Sequence, residues 1–429
     1  MNRLLKRAAG TLGLRLSYTL FTFLTSIVLA RLLGPTGFGT YTYTISWSYL
    51  LAIPATLGFD GLLGREIAVY HTKFAWRYIG GLLRWANTLA FISAIIIATG
   101  GILLSLYMIR PSDPQLFICL CVIMAALPVL ALRNIRRASM RGLHQIVLGL
   151  CPEMLIAPVL LLVFVGIAVA RLGEEFTAVW AVGAYTLATV ITLIISASLL
   201  DRSLPFNVKT AIPSYQRLDW LKQAWPFMFL ESIHVVNARA DVLMLGQLNG
   251  LDAAGIYAPV NRGAQLIIFI LMAFNGPLSP TIASLYAEGK RQELQKILSK
   301  TARVCLLVSA IATVVLLGFG QQYLTVFGPE FVKGLSSLQI RCVGQLLHAL
   351  VGLAPMVLSM TGHTRFTAAT SLMTAVLNIA LNFLLIPRYG INGAAIATTT
   401  SILVSGIVNT VWVYVKIGVH PNIFGFGSS

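Results

Sequence analysis

The sequence predicts an all-α integral membrane protein of about twelve transmembrane helices, built as two six-helix bundles related by a pseudo-two-fold axis along the membrane normal. Three observations predict it. Only 10% of the 429 residues are charged, against about 25% in a soluble domain, while 57% are hydrophobic and the mean hydropathy is +0.82. Apolar stretches of about 20 residues recur along the whole chain, each long enough to cross a hydrocarbon layer of ~30 Å. The Lys and Arg residues between them alternate between dense and sparse, as they do when successive connections lie on opposite sides of a membrane.

The apolar windows place helices at 11–33, 37–59, 80–108, 115–132, 143–170, 176–200, 224–246, 255–280, 301–327, 336–360, 366–387 and 391–415. The first follows a basic start (Arg3, Lys6, Arg7) like that of a signal peptide. Its apolar stretch ends in Arg31 rather than at a small-residue cleavage site, so it reads as a retained span. Dense basic groups then follow every second helix: Arg65, Lys73 and Arg77; Arg133, Arg136, Arg137 and Arg141; Arg202, Lys209, Arg217 and Lys222; and the run from Lys290 to Arg303. Arg365 and Lys416 continue the series. The opposite side holds only Arg31, Arg110, Arg171, Lys333 and Arg388. The alternation requires an even helix count with both termini cytoplasmic, in an inner or plasma membrane. It also accounts for the formal net charge of +17 without nucleic acid, which needs a wet basic surface that this chain is too apolar to offer. The connections are too short for a soluble domain, so the work is done within or across the bilayer.

Two short matches point to an internal repeat. GFGTY at 37–41 resembles AAGIY at 253–257, and SMRG at 139–142 resembles SMTG at 359–362. Lobes of 1–217 and 218–429 follow, six helices each and sharing one orientation, as in parallel-repeat transporters with a site between the halves. Prolines inside or at the edges of spans, densest at Asn275-Gly276-Pro277 with Pro280, favour bent helices. The five cysteines fall in or beside apolar runs with no paired spacing and read as buried thiols.

A charge near the bilayer centre costs ~2.5–3.5 kcal/mol, so each one asks for a reason. Arg15 sits about a turn inside the first helix and Arg31 near its far end; both are able to snorkel. Arg262 lies two turns inside helix 8, with Asn261 beside it and Gln265 on its own face. On helix 7, Glu231, His234 and Asp241 fall within about 80° of arc, and Asn237 extends that side. Arg239 projects away from Asp241. This stripe is either a proton or sodium relay or a structural network between lobes. Glu153, beside Pro152, is a further intramembrane carboxylate with no partner in its own segment. No HExxH, P-loop, DxD or CxxC occurs, so no metal or cofactor is expected, and the short outer connections disfavour catalysis there.

Several segments resemble Wzx-type polysaccharide flippases: LARLLGPTGFGTY (29–41), LGFD (57–60) followed by REIA (65–68), RADVLMLG (239–246) with AGIY (254–257), TGHT (361–364), LNIALNFLLIP (377–387) and YGINGAAIAT (389–398). The resemblance covers essentially the whole chain, in turn and packing motifs rather than a catalytic signature. It implies the two-lobed bundle of the multidrug/oligosaccharidyl-lipid/polysaccharide exporter superfamily. It also implies a non-enzymatic flippase that moves a polyprenyl-pyrophosphate-linked oligosaccharide to the outer leaflet by alternating access. Related lipid II flippases use arginines in helices 1, 2 and 8; Arg15, Arg31 and Arg262 match that placement, while helix 2 offers Tyr41 and other tyrosines instead. The resemblance thus implies substrate contacts from Arg15, Arg31, Arg239, Arg262, Tyr41, Asn261 and Gln265. Ion coupling would run through Glu231, His234, Asp241 and Glu153, and the partners would be membrane lipids, a polymerase and glycosyltransferases. A drug/cation antiporter of the same superfamily, or a membrane-embedded polymerase or ligase, are the alternatives.

Overall fold

The computed structural model describes residues 2–108, 113–351 and 353–421, with the side chains among them except those of 2–9, 12 and 269–277. Arg110, and the side chains of Arg3, Lys6, Arg7, Asn275 and Pro277, lie outside the described residues. The described residues form α-helices and no β-strand. In order these are α1 (Asn2–Thr56), α2 (Phe59–Thr72), α3 (Trp76–Met108), α4 (Pro114–Ala125), α5 (Leu127–Gly142), α6 (Ile146–Cys151), α7 (Ala157–Leu172) and α8 (Ala178–Ser203). They continue with α9 (Phe206–Thr210), α10 (Arg217–Leu248), α11 (Leu251–Ala287), α12 (Arg291–Gly318), α13 (Gly320–Thr325), α14 (Leu335–Val351), α15 (Ala354–Met360) and α16 (Thr364–Ile417).

Among the described residues every expected span lies mostly on helix, but the breaks between helices follow backbone chemistry rather than hydropathy. α1 and α16 each carry two expected spans. Their ladders are interrupted at Gly34 (φ 65°, ψ −178°), just before Pro35, and at Gly390 (φ 55°, ψ −131°). Both are conformations that glycine alone adopts freely. The span expected at 115–132 is the pair α4–α5, bent by 41° where Pro128 enters the first turn of α5. Asp113 starts that pair by accepting the Leu116 amide at 2.9 Å, with Pro114 at the first helical position. Between α6 and α7 the residues Pro152–Ile156 form a π-helical turn, as a proline without an amide proton forces on a continuing helix.

By length and apolarity, seven helices among the described residues are able to cross a membrane, or eight with the bent pair. The number twelve is therefore not reached on apolarity alone. α10 and α11 are not among the seven; α10 carries Glu231, His234, Asn237, Arg239 and Asp241 within 11 residues, which lowers its hydropathy.

The chain divides into two compact units, Met1–Leu33 with Thr40–Val235, and Gly34–Gly39 with Val236–Ser429. The division passes through α10, whose first residue is Arg217. In the first unit α3 packs on α2, α4 and α5, and its Ala86, Ala90, Ala94 and Ala98 form a buried stripe at four-residue spacing. Small side chains let helices approach closely, while Ile92, Ile95 and Ile96 of the same helix face outward. An apolar exterior of this kind suits lipid, not water. The second unit is built on α11, α12, α14 and α16, with cores around Leu294, Leu298, Cys305 and Val357, and around Leu245, Tyr257, Val260 and Leu338.

One contact in the second unit is reciprocal. A Cβ on Gly39 would lie 1.7 Å from the Leu251 carbonyl oxygen, and one on Gly255 would lie 2.0 Å from the Pro35 carbonyl oxygen. These are the glycines of the GFGTY and AAGIY segments, so the paired motifs mark a helix crossing that tolerates no side chain. SMRG forms the last four residues of α5, and SMTG straddles the end of α15. Gly39→Ala and Gly255→Ala are each expected to lower stability by about 1–3 kcal/mol through overpacking. In thermal unfolding of the purified protein, Gly166→Ala serves as the control, because its added methyl would meet nothing within 4 Å.

Candidate functional site

The first unit concentrates its charges on one side of α5. Arg133, Arg137 and Arg141 recur every four residues and so line a single helix face. α2 faces them: after the left-handed Gly58 (φ 77°) the helix restarts, which puts Asp60 in its first turn. Asp60 Oδ1 accepts from Arg141 Nη2 at 2.6 Å and Oδ2 from Arg137 Nη2 at 2.8 Å. Arg137 Nη1 also donates to Glu153 Oε2 at 2.9 Å, and Arg133 Nη2 lies 3.9 Å from Glu153 Oε1. The expectation that Glu153 lacks a partner holds only within its own segment: the π-helical turn projects it onto α5, where Arg137 neutralises it.

These groups line a cavity of about 380 Å³ together with Ser48, Tyr49, Asn134, Glu231 and His234. Glu231 and His234 are exposed, and Glu231 makes no ion pair among the described residues. The Nε atoms of Arg133 and Arg137 are buried without acceptors. The cavity wall therefore combines a guanidinium stripe, the carboxylates of Asp60, Glu153 and Glu231, and hydroxyl, amide and aromatic groups. Such a wall suits a sugar-bearing ligand whose anionic group competes with Asp60 and Glu153 for the guanidiniums.

The second unit contains a different kind of cluster. Asp241, 5% exposed, accepts hydrogen bonds from Asn382 Nδ2 at 3.0 Å, Tyr257 Oη at 3.0 Å and Thr398 Oγ1 at 2.5 Å. Asn378 supports the set, donating to Thr398 Oγ1 at 3.1 Å and accepting from Asn382 at 3.0 Å. All these donors are neutral. Asn382, fully buried, has an Oδ1 without a partner. A buried carboxylate that no cation touches, beside an unused amide oxygen, is an oxygen-lined place for a small cation. Among the described residues no group of three His, Cys, Asp or Glu comes together as metal ligands, and all five cysteines are free.

The stripe expected on helix 7 is thus shared out along α10. Glu231 and His234 belong to the arginine-lined cavity, Asp241 to the buried cluster, and Asn237 donates to the Ser371 carbonyl at 3.2 Å. Arg239, half-buried, is not among the partners of Asp241. Arg15, Arg31 and Gln265 are exposed; Tyr41, Asn261 and Arg262 are half-buried. Asn261 accepts from Arg341 at 3.2 Å. Sequence reasoning missed the α5 arginines, because the charge alternation already explained them as anchors. It met Asp60, Asn378, Asn382 and Thr398 only as parts of family-like segments. The four-residue spacing of the arginines was the available signal.

Comparison with known proteins agrees with this architecture. Among curated proteins, the chain is 27% identical over 285 residues to "Probable flippase AglR" of Haloferax volcanii, covering 65% of this chain and 55% of that one. It is 25% identical over 173 residues to "Probable low-salt glycan biosynthesis flippase Agl15" of the same organism, covering 39% and 36%. The chain thus spans roughly half or less of the curated relatives it matches. Among solved structures, an inward-facing multidrug resistance MATE family transporter of the MOP superfamily superposes with a TM-score of 0.75 at 14% identity, covering 96% and 98%. Lipid II flippase MurJ gives 0.67 at 12% identity, covering 94% and 87%. At these identities the likeness concerns the fold, a two-lobed membrane transporter bundle. The MatE family also matches, over residues 226–384. With residues 4–286 matching the family described as polysaccharide biosynthesis protein, this multi-pass membrane chain belongs to that family.

Proposed function

We propose that the protein moves a polyprenyl-pyrophosphate-linked oligosaccharide from the cytoplasmic to the outer leaflet for cell-surface glycan synthesis, by alternating access coupled to a cation gradient. The observation that carries this reading is the arginine stripe of α5 opening on a cavity with hydroxyl, amide and aromatic walls. A pyrophosphate cannot cross hydrocarbon bare; guanidinium groups replace its counter-ions, and polar side chains replace the water around its sugars. Arg15, Arg31, Arg239, Arg262, Tyr41, Asn261 and Gln265 are further substrate contacts along the path. The family and the flippase names borne by the relatives support the substrate class. The protein would sit in the plasma membrane with both termini cytoplasmic and work beside glycosyltransferases and a polymerase.

The cation enters at Asp241. Its carboxylate, the free Asn382 oxygen and the Thr398 hydroxyl form an oxygen set suited to a sodium-sized ion. Glu231, His234 and Glu153 tune the field of the other cavity. A cation that binds one state of the transporter better than another shifts the equilibrium between them, which couples the gradient to the cycle. The MatE match favours a second reading, a drug/cation antiporter; against it, the cavity's carboxylates Asp60, Glu153 and Glu231 are matched by Arg133, Arg137 and Arg141, which leaves no acidic excess to hold a cationic drug.

Two experiments test the proposal. Neutralising Arg15 or Arg262 singly is expected to reduce surface glycan at least severalfold, with lipid-linked oligosaccharide accumulating in the inner leaflet at matched protein levels. Normal glycan in both variants would remove them from headgroup binding. Asp241→Asn is expected to abolish glycan export while leaving the protein folded and membrane-inserted. Efflux of cationic dyes that depends on Asp241, with no change in surface glycan, would favour the antiporter.

A further inference from the structure

Asp241 has a buried counterpart. Arg341 of α14 is 4% exposed; its Nη2 donates to Asn261 Oδ1 at 3.2 Å, and its Nε is buried without an acceptor. Among the described residues no carboxylate lies within 4.0 Å of its guanidinium. A cation and an anion are therefore both held inside the second unit, each satisfied only by neutral groups. Leaving two such charges unpaired is strongly unfavourable unless each feels the other.

α11 sets their separation. Tyr257 and Asn261 are four positions apart, on one face and about 6 Å apart along the axis. Tyr257 gives its hydroxyl to Asp241 at 3.0 Å, and Asn261 receives the proton of Arg341 at 3.2 Å. The two charges thus occupy successive rungs of one helix face. They are too far apart for a hydrogen bond, yet Tyr257 and Asn261 hold them at neighbouring turns of the same helix. A direct Arg–Asp bridge would close the oxygen cluster to any other cation. A remote guanidinium leaves Asn382 Oδ1 and the carboxylate open while partly compensating the negative charge.

We propose that Arg341 is the internal counter-charge of Asp241: it stabilises the cluster when no cation is bound and, by repulsion, weakens the binding of a sodium-sized ion so that the ion can leave again. This rests on the reading of Asp241 as the cation site. A transported ion must be released as well as bound, and a fixed positive charge one helical turn away sets that balance without occupying a ligand position. Arg341 is accordingly a positioning residue, acting through the field at Asp241.

The test uses the full chain purified into neutral-lipid nanodiscs. Melting temperature is followed against NaCl concentration, with N-methylglucamine chloride keeping ionic strength constant. The wild type is expected to show a saturable sodium-dependent rise that Asp241→Asn abolishes. Arg341→Gln and Arg341→Met, two neutral variants in case one misfolds, are expected to lower the half-saturating sodium concentration about tenfold, ~1.4 kcal/mol. Arg341→Lys, which keeps the charge, stays near the wild type. A merely structural role would lower the melting temperature at every sodium concentration without moving the half-saturation point. An unchanged or raised half-saturation point in the neutral variants, with the Asp241→Asn effect intact, overturns the counter-charge and leaves the cation site standing. A wild type indifferent to sodium overturns both.

Discussion

The guanidinium of Arg137 lies between two carboxylates, one on α2 and one on the π-helical turn before α7. All three are largely withdrawn from solvent, their side chains 17–23% exposed, and a charge so placed is costly without its partner. Together they compensate one another, and in doing so they tie α2, α5 and the α6–α7 segment into one body. The apolar faces of those helices specify only that they touch something apolar, and lipid meets that requirement as well as protein does. The ionic ladder, with the alanine stripe of α3, gives the first unit its register. The cavity wall follows, since the arginine stripe that fixes the packing is also its lining.

Much of the fold was legible in the sequence because the bilayer imposes a one-dimensional rule. Span length, apolarity and the alternation of Lys and Arg depend on local sequence, and glycines at positions such as 34 and 390 announce their own breaks. What hydropathy could not see was how the breaks are made: α1 and α16 each hold two spans, and α4–α5 is a bent pair rather than one straight helix. The sites were less legible for a physical reason. Two of the three donors to Asp241 stand 141 and 157 positions away, on α16, and nothing in helical periodicity brings them together. Arg133, Arg137 and Arg141 had a simpler explanation as cytoplasmic anchors, and their pairing with Asp60 and Glu153 emerges only once α2 and the π-turn are placed.

The two clusters divide the electrostatic work by the kind of partner each charge has. In the first unit opposite charges touch. In the second, Asp241 is surrounded by neutral hydroxyl and amide groups, and the cation that balances it is held at a distance. A contact pair is a rigid element; a carboxylate solvated by neutral donors can accept a new charge. α10 contributes to both, with Glu231 and His234 before the division of the chain and Asp241 after it. A single helix therefore carries both an exposed carboxylate on the cavity wall of the first unit and a buried carboxylate in the second.

The π-helical turn at Pro152–Ile156 has a consequence for how this segment can vary. Such a turn contains one residue more than the α-helix it interrupts. Deleting a single residue between Pro152 and Ile156 would let the chain run on as a regular α-helix with the halves on either side near their present angular phase, because the wide turn takes up the extra residue within about one turn. What the deletion would change is the turn itself: Glu153, carried on the widened backbone, would be redirected, and the proline ring would meet the carbonyl one turn before it without relief. The turn works as an expansion joint: it takes up a residue without rotating the half-helix that meets the bilayer against the half-helix that meets the arginine ladder. A one-residue deletion here is therefore expected to disturb the pairing of Glu153 with Arg137 more than the lipid-facing side of α7.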